Sequence, residues 1–173
     1  MFEVRQITPD DAAAYWQLRQ QIDRETEFLR FEADDWLITT PRVRGRIELM
    51  LATDNQMIFV ADNDGQLIGF LWAGGGLYRH NRHKVHIIVG VLQAHTRQGL
   101  GTRLLTACEE WACTQRLQRL ELSVMTHNFV ALALYRKLEF AIEGIAQYAL
   151  CIDGKYIDLY HMSKVLTCEN QEC

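Results

Sequence analysis

One stretch constrains this chain more than any other: an apolar run at 85–91, a loop carrying Gly99 and Gly101, and a segment in which Leu104, Leu105, Cys108, Trp111 and Ala112 recur at helical spacing. The run has the length of a buried strand, and the 3.6-residue period after it describes a helix lying against a sheet. Next, Leu120, Leu122 and Val124 alternate with Glu121, Ser123 and Met125, the period of a half-buried strand. Strand, helix and strand in that order predict one parallel crossover. The first N–H groups of a helix have no partner within it, and glycine lets the backbone approach a ligand closely. The loop 92–102 therefore reads either as an ordinary strand-to-helix turn or as a cradle for a phosphate or pyrophosphate. Gly-x-Gly-x-x-Gly is not met, because position 104 is Leu, and there is no Gly-Lys-Ser/Thr.

Around this unit the chain alternates sheet and helix. Residues 2–7 read as a strand; Thr8 as cap, Pro9 at the first helical position and Asp11 open a helix to about Arg24, striped by Tyr15, Leu18 and Ile22. Thr40 and Pro41 start a second helix with Val43, Ile47, Met50 and Leu51 on one side. The connection 25–39 carries Phe28, Leu29, Phe31 and Trp36, too apolar for a solvated linker, so it is expected to pack on the body or wall a cleft. Segments 57–61 and 66–72 flank Asp-Asn-Asp-Gly and predict a hairpin, after which Gly74, Gly75 and Gly76 are expected to loosen the chain. Residues 128–138 form a helix striped by Ala131, Leu134, Tyr135 and Leu138, and 140–152 and 155–165 close a hairpin on Asp153-Gly154. The sum is an α/β (α+β) fold: a central mixed, mostly antiparallel sheet of about seven strands flanked on both faces by about four helices.

Composition narrows the function. The 173 residues suit one domain, taken as 1–166 with a polar tail at 167–173. A net charge of −4 argues against a nucleic-acid partner and suits a cationic or amine substrate. The start lacks the basic-then-apolar order of a signal peptide and no apolar run is long enough to span a bilayer, so no membrane partner and a cytoplasmic location are expected. Cys108, Cys113, Cys151, Cys168 and Cys173 are odd in number and form no Cys-x-x-Cys pair, so reduced thiols are expected, with the tail cysteines free of chemistry. His80, His83 and His86 have three-residue spacing but follow glycines and enter a strand, which favours a solvated loop over a metal site; no metal is expected.

Two motifs then carry a resemblance. Thr96-Arg97-Gln98-Gly99-Leu100-Gly101 is similar to the Gln/Arg-x-x-Gly-x-Gly/Ala signature of the GNAT superfamily of acetyl-CoA-dependent N-acetyltransferases, departing at Thr96. Downstream, residues 128–140 resemble its Asn-x-x-Ala-x-x-Leu-Tyr-x-Lys-x-Gly-Phe, departing at Glu139. The likeness is sharp over 85–165 and extends to the closing hairpin of stand-alone bacterial members. It implies a GNAT-like fold and acetyl-CoA as cosubstrate, bound by the backbone of Val89 and Val91, by the loop Thr96, Arg97, Gln98, Gly99, Leu100, Gly101 and Thr102, and by Asn128 and Tyr135. It further implies Tyr135 as the general acid that protonates the departing thiolate, a role to which a phenol is suited. From periodicity alone, Tyr135 is a core residue and Asn128 a plain N-cap.

An amine with pKa near 10 must also lose a proton. Relatives often place a Glu or His on the strand face that includes Val91; here that face holds Val89, Ile87 and Val85, and His86 falls on the other. Water, His127, Glu27, Glu25 and His86 all stay open as the base. The implied reaction is direct acetyl transfer in a ternary complex to the primary amine of a small molecule such as an amino acid or polyamine. The alternatives are a protein or peptide amine, a non-catalytic CoA-binding sensor, and a nucleotide-binding protein. The long C-terminal hairpin offers a surface on which two copies could pair as a homodimer.

Overall fold

A computed structural model describes residues 2–29 and 39–168. Its strands are β1 (Glu3–Gln6), β2 (Gln56–Asn63), β3 (Gln66–Gly75), β4 (Lys84–Val91), β5 (Arg119–Met125), β6 (Ala141–Ile152) and β7 (Lys155–Val165). Its helices are α1 (Ala12–Glu25), α2 (Thr40–Leu51), α3 (Leu100–Thr114) and α4 (Phe129–Lys137). The strands make one sheet in the order β1-β2-β3-β4-β5-β7-β6. Every pairing is antiparallel except β4 with β5, the predicted crossover.

The two faces of the sheet are assigned by strand alternation. Ile58, Trp72 and Ile88 stand in register, and with Phe70, whose ring meets Tyr15 edge-on at 5.6 Å, they face α1 and α2. The other parity faces α3: Phe59 meets Trp111 at 6.1 Å, and the side chain of Leu100 fills the space beside Gly69. Leu104, Leu105, Cys108 and Ala112 are fully buried there, as their spacing predicts.

Several local expectations are corrected. Pro9 opens a short 3-10 turn, Pro9–Asp11, before α1 begins. Thr39, not Thr40, caps α2, and Leu51 is exposed while Val43 and Ile47 are buried. Gly74 and Gly75 do not loosen the chain; they extend β3 and pair with His86 and Val85. Glycine is required at 75, since a Cβ would lie 2.6 Å from the carbonyl oxygen of Asn55. Phe31 and Trp36 lie outside the described residues. The largest correction concerns the thiols: Cys113, at the end of α3, is joined to Cys168 beyond β7. Cys108 is free and buried, and burial pushes its thiol well above the usual range, which keeps it inert.

Arg5 of β1 locks the N-terminal corner. Its guanidinium donates to both oxygens of Asp11 at 2.8 Å and to Asp62 at 2.9 Å, and Asp11 also accepts from the Thr8 amide at 2.7 Å. The bond from Arg5, opposed by desolvation and helped by Thr8, lowers Asp11 from its ordinary 3.8 to about 2. A depressed carboxylate stabilises above its unfolded pKa, and the contribution fades as pH falls through the folded one. Asp11→Asn is expected to lower unfolding free energy by about 2 kcal/mol at pH 7. Denaturant melts should then converge on wild type between pH 4 and pH 2; a constant gap would show that the loss is not this titration.

Candidate active site

The parallel pair is short. β4 and β5 are matched only through Lys84↔Arg119, Val85↔Leu120 and His86↔Glu121. Beyond that point β4 runs on to Val91 beside β3 alone, and β5 to Met125 beside β7 alone. The backbone of 87–91 on the β5 side therefore lacks a strand partner, and peptide groups so placed are open to another chain of amides. Val89 and Val91 are half-buried on the α3 face, with Ile88 and Gly90 on the α1–α2 face.

The open end of this gap leads into the loop singled out by sequence. Leu92 is buried and its amide donates to Ile68 at 3.0 Å, fixing the exit of β4. After a 3-10 turn, Gln93–His95, residues 96–99 are exposed, and Arg97 and Gly99 take φ of 60° and 80°. Left-handed backbone at Gly99 costs a glycine nothing and turns the chain sharply into α3. Thr96 and Gln98 brace the loop from within, donating to the carbonyls of Gln93 at 2.9 Å and Ala94 at 3.3 Å, while Arg97 stands in solvent. Leu100 buries its side chain, and Gly101 and Thr102 lie half-buried in the first turn. A Cβ on Gly101 would come within 2.7 Å of Leu134, so glycine there lets α4 seat on the first turn of α3. The result is an N-terminus of a full-length helix, with its positive dipole end and free amides, at the mouth of the gap.

α4 supplies two more of the expected residues. Asn128 caps it, its Oδ1 accepting from the Ala131 amide at 3.1 Å. Tyr135 is buried with its ring 5.7 Å from Phe140, and among the described residues none hydrogen-bonds its hydroxyl. Burial pushes the phenol up to about 12, so it carries its proton at neutral pH.

On the opposite face the segment after α1 bridges the mouth of the gap. Glu25 accepts from the Gln93 amide at 2.7 Å. Leu29 lies 3.1 Å from the point where a Cβ on Gly90 would sit. Phe28 stacks at 5.3 Å on His127, and Glu27 reaches His127 at 3.7 Å. Three of the open candidates for the base thus gather here. His86 instead sits at the closed end, opposite Glu121; desolvation, opposed by Glu121 and aided by His161 and Lys84, holds it below the ordinary imidazole value. Among the described residues no group of three or more His, Cys, Asp or Glu side chains is gathered as metal ligands would be.

On this same face α1, α2 and the sheet enclose a cavity of about 300 Å³, lined in part by Trp16, Arg19, Arg46, Met50, Trp72 and Ile88. Sequence reading missed it, because Trp16, Arg19 and Arg46 flank the apolar stripes of their helices instead of belonging to them. Their one signal is position: each lies within four residues of a stripe member on the same helix.

The chain is similar to known acetyltransferases. The sequence profile of the acetyltransferase (GNAT) family matches residues 15–140. An L-amino acid N-acetyltransferase of Escherichia coli K12 is 28% identical over 110 residues, 61% of this chain and 66% of that protein, so the match spans just under two thirds of the relative. The spermidine N(1)-acetyltransferase of the same strain is 24% identical over 143 residues, 82% of this chain and 76% of the relative. The crystal structure of a GNAT-family acetyltransferase from Streptococcus pneumoniae superposes with a TM-score of 0.91 at 28% identity, covering 96% of this chain and 100% of that one. With the profile spanning most of the chain and the fold matching end to end, this protein belongs to the acetyltransferase (GNAT) family, whose members draw their acetyl group from acetyl-CoA.

Proposed function

We propose that this chain transfers the acetyl group of acetyl-CoA to the primary amine of a small molecule, by direct attack in a ternary complex. The observation that carries the reading is the parting of β4 from β5 after His86 and Glu121, directly before the N-terminus of α3. A pyrophosphate suits the amides of 97–101, and the extended pantetheine arm, with its two amides, suits the unpaired edge at Val89 and Val91. Asn128 would add a side-chain amide at the same edge. Relatives that act on an amino acid and on spermidine support a small amine as the acceptor.

The amine approaches from the α1–α2 face, where residues 25–29 close over Gly90. Its proton passes to the Glu27–His127 pair or to water held there, leaving a neutral nucleophile. As the thioester carbon–sulfur bond breaks, the Tyr135 phenol gives its proton to sulfur and regains one from the proton released at nitrogen. One proton moves from nitrogen to sulfur overall, and the enzyme ends as it began.

The test is thermal unfolding with saturating acetyl-CoA beside equal ATP. A ligand at about 100 times its Kd adds about 2.7 kcal/mol to the native state, a rise of several degrees for a chain of this size. A rise with acetyl-CoA alone is expected. No rise, or an equal one with ATP, would sink the reading.

A further inference from the structure

We infer that Ser123, on the flank of the gap between β4 and β5, is a site of self-acetylation: with no amine bound, its hydroxyl oxygen takes the acetyl group of acetyl-CoA as an ester, and His161 accepts the proton. The inference goes beyond amine transfer and rests on the acetyl-transfer reading only for the thioester's place in the gap.

Register is the first argument. His86 and Glu121 are the last pair that joins β4 to β5. His86 has the parity of Ile88, so Glu121 and Ser123 stand on the α1–α2 face of the sheet. Ser123 is thus the first β5 residue on that face beyond the point where the strands part. The two strands run the same way, which sets it level with Ile88, about 7 Å along from the closed end. An arm that lies along Val91 and then Val89 carries its thioester at its far end, toward this level. A chain paired with β4 at strand spacing, about 4.8 Å, has β5 as its other neighbour. Ser123 therefore borders the reacting carbon from the face on which the amine is expected.

Chemistry is the second. Ser123 Oγ and His161 Nδ1 lie 3.0 Å apart, and the two residues are directly opposite in the β5–β7 register. A hydroxyl within hydrogen-bond reach of an imidazole is the pairing that activates serine as a nucleophile. Both side chains are exposed, so burial does not demand this bond, and water would satisfy either group. Gly144 stands opposite His161 on β6 and has no side chain to cover the ring. From β4, His86 is close enough to feel the charge of His161. Glu121, the neighbouring carboxylate on β5, is taken by Lys84 at 2.9 Å and Arg119 at 3.3 Å. Among the described residues, Ser123 is the hydrogen-bond partner of His161. Neither side chain serves amine transfer, whose proton leaves on the Glu27–His127 side of the mouth.

Atoms and protons balance. Oγ–H passes its proton to Nδ1, Oγ bonds to the carbonyl carbon, and the carbon–sulfur bond breaks. Sulfur takes the proton of Tyr135, and solvent returns the proton of His161 to the phenol. A serine hydroxyl and a thioester become a serine ester and a free thiol, and no other reactant is consumed.

Incubation of the purified protein with acetyl-CoA deuterated in the acetyl group, without amine, followed by peptide mapping in the mass spectrometer, tests this. A single label is expected on Ser123, released by alkaline hydroxylamine as an ester is and a lysine amide is not. His161→Gln should slow its appearance by about 10²-fold, and Ser123→Ala should abolish it. Both positions are exposed, so both variants should keep the wild-type Tm and its rise with acetyl-CoA. In the ligand-free protein, ring-nitrogen NMR shifts should show His161 protonated at Nε2 with Nδ1 as acceptor, and Ser123→Ala should move the Nδ1 signal. No ester on Ser123, an ester that forms as fast in His161→Gln, or a ring protonated at Nδ1 would overturn the inference; a thermal shift with acetyl-CoA would still leave the acetyl-transfer reading standing. No thermal shift would remove both.

Discussion

Tyr135→Phe is expected to lower kcat by about 10²-fold or more while leaving the affinity for acetyl-CoA unchanged. Phe keeps the ring that packs 5.7 Å from Phe140 and fills the same buried space. A buried tyrosine hydroxyl usually has a partner whose loss destabilises the fold. Here none of the described residues hydrogen-bonds it, so the variant should unfold at the wild-type midpoint. The expected signature is therefore a fall in kcat with stability and cofactor binding intact. The pH profile adds a second readout. Desolvation pushes the phenol up to about 12, so the wild-type donor stays protonated through the alkaline range, and Tyr135→Phe should leave the alkaline limb of kcat in place below that value. Equilibrium titration with acetyl-CoA and single-turnover thiol release separate binding from chemistry. Unchanged kcat would remove Tyr135 from the mechanism and restore its plain reading as a core residue.

The same residue shows what a sequence discloses and what it withholds. Helical period places Tyr135 on a buried stripe, which it occupies, yet says nothing about why its hydroxyl is unpaired; only the motif around it suggests chemistry. The crossover was legible because a buried run, a loop and a striped helix each obey one local period, and the structure pairs Val85 with Leu120 as that order requires. Its brevity was not legible, since nothing in 87–91 distinguishes a strand that pairs from one that parts. Gly74 and Gly75 misled for a related reason: glycine marks both a loose chain and a strand crowded by neighbours, here the Trp72 ring and Asn55. The cavity between α1, α2 and the sheet was hidden because it is built from the flanks of two helices and one sheet face, which no single period describes. Glu25, Glu27 and His127 were each visible as candidates, but their convergence depends on how the end of α1 crosses the mouth of the gap.

The Cys113–Cys168 bridge was hidden for yet another reason: a sequence separation of 55 leaves no spacing motif to read. Its expected effect on stability exceeds that of the Arg5–Asp11 pair. The loop it closes runs from the end of α3 through β5, α4, β6 and β7, so in the unfolded chain it ties together the whole second half of the sheet. Chain entropy for a loop of that length gives about 4 kcal/mol, a drop in Tm of about 10 °C for a domain of this size. Cys113→Ser with Cys168→Ser should show that loss in denaturant melts without reductant. Reductant should carry wild type to the same midpoint and leave the double variant where it is. Thiol titration of the denatured wild type should find two fewer reactive groups before reduction than after. The gap and its loop lie at the opposite end of α3 from Cys113, so acetyl-CoA should still raise Tm in the double variant. Equal midpoints with and without reductant would show that the bridge contributes nothing, and the strands of the closed loop would then be held by packing alone.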